Sequence, residues 1–242
     1  MATKRLDKII SESSSVTRSE ARKLIRLGRV RVGGEVVTKA ESKVAENAEI
    51  RLDGKLINCG KFRYIMLNKP AGVLSATKDK DQETVLSLLP PEFALMKLFP
   101  VGRLDKDTTG LIILTNDGAY CHDVISPKHG VVKLYEAFVD GELSQDDADA
   151  FQNGITLKDG TKCLPAVLKL DDRDLSRAEI SITEGKYHQV KRMLASRGKP
   201  VLKLKRLAIG SLNLDVSLNP GEYRELKKEE AMLVFEKDFT KK

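Results

Sequence analysis

The stretch GRLDKDTTGLIILTNDG, Gly102 to Gly118, joins a charged turn to an apolar strand. Its first half places Asp105 two residues after Arg103, and its second half, Leu111 to Leu114, is a run of large aliphatic side chains. Asn116-Asp117-Gly118 then reads as a turn. A carboxylate at the mouth of a strand, beside a fixed cation, can be presented to a large substrate as nucleophile or base. Taken alone, the same residues also describe a solvated ion pair in a surface turn.

Working outward, strand-like and helix-like segments alternate. Arg63–Asn68 predicts a strand stopped by Lys69-Pro70-Ala71-Gly72. Leu98–Val101 leads into the Gly102–Gly118 run, and Lys133–Asp140, Ala166–Leu170, Ala178–Ile182, Val201–Leu204 and Leu212–Leu214 predict further strands. Ser144 caps a helix whose Asp146 and Asp147 suit its positive end and which Gly154 terminates. A second helix falls between Gly185 and Gly198, with Val190 and Leu194 inward. No parallel βαβ repeat is evident, so the expected class is α+β on a mixed or antiparallel sheet.

Residues 1–60 read as a separate basic module. Arg5–Ser11 predicts a short amphipathic helix with Leu6, Ile9 and Ile10 on one face. Thr17-Arg18-Ser19-Glu20 is a capping box, so a second helix starts at Arg18, buries Ala21, Leu24 and Ile25, and ends at Gly28. Its other face carries Arg18, Arg22, Lys23 and Arg26, followed by Arg29, a density of cations that repel one another unless phosphates lie opposite. Val30, Val32, Val36 and Val37 flank Gly33-Gly34, a hairpin signal. Asp53-Gly54-Lys55 is a turn, and Asn58-Cys59-Gly60-Lys61 reads as the hinge to a second domain, 61–242.

Composition narrows the partners. The 242 residues carry 42 Lys and Arg against 35 Asp and Glu, a formal charge of +7. That balance points to a polyanion, nucleic acid first. Cys59, Cys121 and Cys163 form no C-x-x-C pair and read as reduced thiols in a cytoplasmic protein. His122, His129 and His188 lack zinc-ligand spacing, so no metal is expected. No window is apolar enough to span a membrane, the first residues lack a secretory pattern, and no phosphate-binding loop motif points to a nucleotide cofactor.

Four segments together resemble the pseudouridine synthases, in the branch acting on bacterial small-subunit ribosomal RNA. They are the Gly102–Gly118 run, Asn68-Lys69-Pro70-Ala71-Gly72, Lys133-Leu134-Tyr135, and Glu184-Gly185-Lys186-Tyr187-His188-Gln189-Val190-Lys191-Arg192-Met193. The last, with Pro220–Tyr223, looks most like the small-subunit enzymes; large-subunit ones tend to have an asparagine-arginine pair where Tyr187-His188 stands. Residues 4–50 are similar to the alpha-L RNA-binding module of a small-subunit ribosomal protein. The resemblance implies isomerisation of a specific uridine in small-subunit RNA, on a large bent sheet with flanking helices and without a cofactor. It implies Asp105 as catalyst, Tyr135 packed under the target base and Lys191 paired with the aspartate, with Arg192 as the alternative partner. It also implies Arg103 as the residue that fills the space of the extruded uridine. Asp107, two residues on, is expected to face solvent or brace the turn. Arg5, Arg18, Arg22, Lys23, Arg26 and Arg29 would hold RNA phosphates. A monomer is expected. The alternatives are the same chemistry on large-subunit RNA, and a non-catalytic RNA-binding assembly factor.

Overall fold

The computed structural model describes residues 3–13, 16–45, 48–57 and 62–236. The hinge expected at Asn58-Cys59-Gly60-Lys61 and the Lys241-Lys242 tail lie outside the described residues. Contacts group Met1–Phe62 with Pro90–Leu98 in one compact unit, and Arg63–Leu89 with Phe99–Lys242 in the other. A single cut near residue 60 does not contain the Pro90–Leu98 excursion. There a 3-10 turn over Pro91–Met96 brings up Lys97, whose Nζ donates to the Ser11 carbonyl at 2.8 Å.

The first unit runs β1 (Thr3–Arg5), α1 (Leu6–Ser13), α2 (Arg18–Arg26), β2 (Val30–Val32), β3 (Glu35–Val36), β4 (Lys43–Ala45), β5 (Ile50–Leu52) and β6 (Lys55–Ile57). The capping box forms as expected: the Glu20 amide donates to Thr17 Oγ1 at 3.2 Å, and the Thr17 amide donates to Glu20 Oε2 at 2.7 Å. Leu6, Ile9 and Ile10 of α1 pack on Ala21 and Ile25 of α2 and on Val30 and Ile50, all buried. Leu24 is only half-buried. Both hairpins turn through left-handed residues, Gly33 and Gly34 at φ 57° and 90°, and Asp53 and Gly54 at 52° and 78°. That geometry matches the twist of the strands it joins.

The second unit is built on β7 (Tyr64–Lys69), β8 (Phe99–Pro100), β9 (Thr109–Thr115), α3 (Gly118–Ile125), β10 (Lys133–Val139), α4 (Gln145–Asn153), β11 (Val167–Leu170), β12 (Arg177–Ile182), α5 (Gln189–Ser196), β13 (Val201–Ile209), β14 (Leu212–Asn213), β15 (Tyr223–Glu225) and α6 (Lys228–Met232). Among the described residues one sheet has the order β11-β12-β10-β13-β9-β7-β15, with β14 on β13 and β8 on β9. All its pairings are antiparallel except β13 with β9. β7 is buried at every position and β9 at all but its first, as central strands covered on both faces must be.

Two expectations change. The Asn116-Asp117-Gly118 turn is a helix start: Asp117 Oδ1 accepts from the Ala119 and Tyr120 amides at 3.1 Å, and its Oδ2 takes the Tyr64 hydroxyl at 2.8 Å. Aspartate caps helices by the same short-side-chain geometry that suits it to turns. β13 does not stop at Leu204, where Lys205-Arg206 breaks the apolar run, but continues to Ile209 with Arg206 buried.

Arg206 explains how the sheet divides. β13 pairs with β9 only at Lys205–Thr109 and Arg206–Gly110. Farther along β9, the Ile113 carbonyl accepts from Val101 and Thr115 faces Phe99 of β8. Between these pairings the Leu111 carbonyl would lack a donor, and Arg206 Nε supplies it at 2.7 Å. A buried carbonyl left unpaired would be destabilising, so the side chain closes the ladder.

At this junction Gly110 has φ +98°, and a Cβ there would lie 2.3 Å from the Arg206 carbonyl oxygen. Gly110→Ala is expected to lower stability by more than ~2 kcal/mol, read as a shift in the denaturant midpoint. An unshifted midpoint would show that the strands separate freely at this point.

Candidate active site

The loop before β9 is held by its backbone. Lys69, at the end of β7, is fully buried. Its Nζ donates to the carbonyls of Thr108 at 2.9 Å, Pro70 at 3.0 Å and Lys106 at 3.1 Å. Ser75 Oγ donates to the Leu104 carbonyl at 2.8 Å and accepts from the Leu104 amide at 3.0 Å. The Gly72 amide adds a bond to the Lys106 carbonyl at 2.8 Å, and the Thr108 amide closes a turn on the Asp105 carbonyl at 3.1 Å. The segment from Lys69 to Ser75 therefore clamps both sides of Asp105. The roles of Lys69 and Ser75 were not anticipated; the available signal was a lysine ending an otherwise apolar strand.

Asp105 keeps a quarter of its side chain exposed. Lys191 Nζ stands 3.3 Å from its Oδ2, and His188 Nε2 stands 3.4 Å from its Oδ1. Lys191 also reaches Asp107 Oδ1 at 2.5 Å, and this hydrogen bond holds the Asp107 carboxyl below its usual range. Asp107 is three-quarters exposed, so it both faces solvent and braces the lysine. Arg192 points elsewhere and binds Asp159 Oδ2 at 2.5 Å. Consecutive residues on α5 diverge by about 100°, so only one of the two can face the loop. The approach of His188 was not anticipated; its signal lay in the motif spelling alone.

Tyr135 is buried in mid-strand, opposite Ile180 of β12 and Arg206 of β13. Arg206 in turn faces Gly110. Tyr135, Arg206 and Gly110 thus form a lateral row across the sheet, and Asp105 lies on the loop that enters this row. Arg103 is exposed on the same loop.

In the first unit Arg5, Arg18, Arg22 and Arg29 pair with carboxylates of this chain. Asp7 is fully buried, and Arg5 Nη2, Arg22 Nε and Arg18 Nε lie 3.0, 2.9 and 3.3 Å from its Oδ2. Burial alone would raise the Asp7 carboxyl, but hydrogen bonds from Arg5, Arg22 and Arg18 hold it well below the ordinary carboxylate range. Three half-exposed guanidinium groups on one carboxylate leave a fixed excess of positive charge. Arg29 pairs with Asp53 at 2.5 Å, while Lys23 and Arg26 are exposed. The repulsion expected on α2 is therefore relieved in part by carboxylates of this chain.

Residues 63–196 match the family described as RNA pseudouridylate synthase, and residues 4–50 match the S4 domain. The chain belongs to the RNA pseudouridylate synthase family. It is similar to the ribosomal small subunit pseudouridine synthase A of Escherichia coli, 43% identical over 93% of this chain and 97% of the relative. It is also similar to an RNA pseudouridine synthase of Bacillus subtilis, 41% identical over 96% and 98% of the two chains. A solved pseudouridylate synthase superposes with TM-score 0.68 at 37% identity, covering 96% of this chain and 99% of its own. The synthase is thus an isomerase of α+β class with an S4 domain at its N-terminal end, as the motif resemblance implied. Among its described residues no helix is long and apolar enough to cross a membrane.

Two buried lysines give the synthase a pH signature. Burial lowers Lys69 to about 8, against the attraction of Asp107 and Asp105. Burial and the nearby Arg206 lower Lys133 to about 8. Between about pH 8 and the unfolded lysine value near 10.5 the unfolded chain binds more protons, so these groups make stability rise with pH in that window. Lys133→Met is expected to flatten the rise, measured by denaturant titration at pH 8 and pH 10. The same slope in both proteins would contradict the assignment for Lys133.

Proposed function

We propose that the chain converts a specific uridine of small-subunit ribosomal RNA to pseudouridine, with Asp105 as the catalytic carboxylate. The observation that carries this reading is the clamped Asp105, flanked by Lys191 at 3.3 Å and still partly open to solvent. The reaction breaks the bond between uracil N1 and the ribose, turns the base and rejoins it through C5. No atoms are gained or lost, so neither an oxidant nor an energy source is required. Asp105 either attacks the sugar or removes a sugar proton, and later assists loss of the C5 proton. Lys191 supplies the positive charge that matches the ionised carboxylate. The uridine reaches this site by leaving its stack, with Arg103 filling the vacated space and Tyr135 packing under the base. Small-subunit RNA is preferred as substrate because relatives 42% and 43% identical over 93% of this chain carry that activity in their names.

The Asp7-centred arginines, with Lys23 and Arg26, would hold RNA phosphates and raise the local concentration of substrate. The protein would act as a cytoplasmic monomer during ribosome assembly.

Asp105→Asn is expected to abolish pseudouridine formation, by at least ~10³-fold, while RNA affinity changes little. Lys191→Met should lose most of the rate and Lys191→Arg regain part of it. Full turnover by Asp105→Asn would refute the catalytic assignment. Mapping pseudouridines in both ribosomal RNAs, with and without the protein, decides between subunits; a site lost only from the large subunit would overturn the substrate.

Replacing Arg18 and Arg22 with Ala should weaken RNA binding and reduce the slope of log affinity against log salt by about 1.5. A filter-binding titration from low to moderate salt reads this directly. An unchanged slope would remove these arginines from the RNA interface.

A further inference from the structure

The segment leading into α5 carries a feature that the proposed chemistry does not use. Tyr187 is three-quarters exposed, and its ring stacks on the His188 ring with centroids 3.8 Å apart and planes 18° from parallel. His188 sits at φ 48°, ψ 36°, a left-handed backbone sparsely populated by residues with a Cβ. That conformation sets its Nε2 3.4 Å from Asp105. The segment is rigidly held. Glu184 is buried and accepts from Gln189 Nε2 at 2.7 Å, Lys186 Nζ at 2.7 Å and the Leu164 amide at 2.9 Å. Gln189 Oε1 accepts from the Lys186 amide at 2.9 Å.

An aromatic ring this exposed adds little to the core, and a strained backbone beneath it is costly to retain. Stacking on a nucleobase uses such a ring fully, because every base offers a π-face. The position also fits, since the ring is one stacking layer beyond the imidazole that touches Asp105. Few other aromatics are available: the chain has 5 Tyr, 7 Phe and no Trp.

We propose that Tyr187 and His188 form a stacking platform at the rim of the site, taking an unpaired base next to the target uridine, while His188 steadies the Asp105 carboxylate. This rests on Asp105 being the reacting centre. The platform requires an unpaired base beside the target, whatever its identity, so it selects for local RNA structure rather than sequence, and His188 is a positioning residue.

The test uses the full chain and total ribosomal RNA from cells lacking the protein, with kcat and KM measured separately. Tyr187→Ala should raise KM roughly 5- to 150-fold, the loss falling in KM rather than kcat, and Tyr187→Phe should restore it. His188→Gly relaxes the backbone, so its thermal midpoint should hold or rise while kcat/KM falls about tenfold or more. An unchanged KM in Tyr187→Ala, or a Phe variant as poor as the Ala variant, overturns the platform. An unchanged kcat/KM in His188→Gly overturns the positioning role. Asp105→Asn is assayed in parallel: retained turnover there sinks the reading of the site itself. Lost turnover with no Tyr187 effect sinks the platform alone.

Discussion

A lysine ammonium sealed inside the second unit and shared among three carbonyls is the constraint on which the site depends. The partners of Lys69 Nζ are the carbonyls of Pro70, Lys106 and Thr108. Two of these belong to the loop bearing Asp105, so a charge buried at the end of one strand fixes the backbone of the next. All three of its donors are thereby occupied, which offsets the cost of burying the charge. Burial draws the ammonium toward its neutral form, and the nearby Asp105 and Asp107 draw it back. Asp105 therefore also helps to hold the cation that orders its own loop.

The two units use buried charge in different ways. In the first, one buried carboxylate, Asp7, gathers three arginines and leaves their outer edges in water. This holds long, flexible side chains in place around one fixed charge. In the second, buried cations serve the backbone: Lys69 holds the loop and Arg206 donates to the Leu111 carbonyl where the sheet divides. Replacing either with an apolar residue would leave main-chain acceptors unpaired, a larger penalty than the loss of a surface ion pair.

Much of the architecture was legible because local rules sufficed. The Thr17–Glu20 capping box, the Gly33-Gly34 and Asp53-Gly54 turns, and the Ser144 cap all depend on residues within a few positions of each other. The family motifs likewise named Asp105, Tyr135 and Lys191 as residues to examine. Longer-range features were hidden. The extent of β13 was missed because Arg206 looks like a surface residue until its carbonyl partner on β9 is known. Asp117 was read as a turn because capping and turning use the same side-chain geometry, and only the downstream packing of Tyr120 and Val124 selects the helix.

By itself the sequence determined most of the elements, the family and the candidate acid, because periodicity, caps and contiguous motifs are properties of neighbouring residues. Only the tertiary structure decided that Lys191 rather than Arg192 faces Asp105, that Asp107 shares that lysine, and that His188 approaches from the other side. The physical reason is that these contacts join a loop near residue 105 to a helix near residue 190. Their geometry is set by helix phase and backbone clamping, which no spacing along the chain encodes.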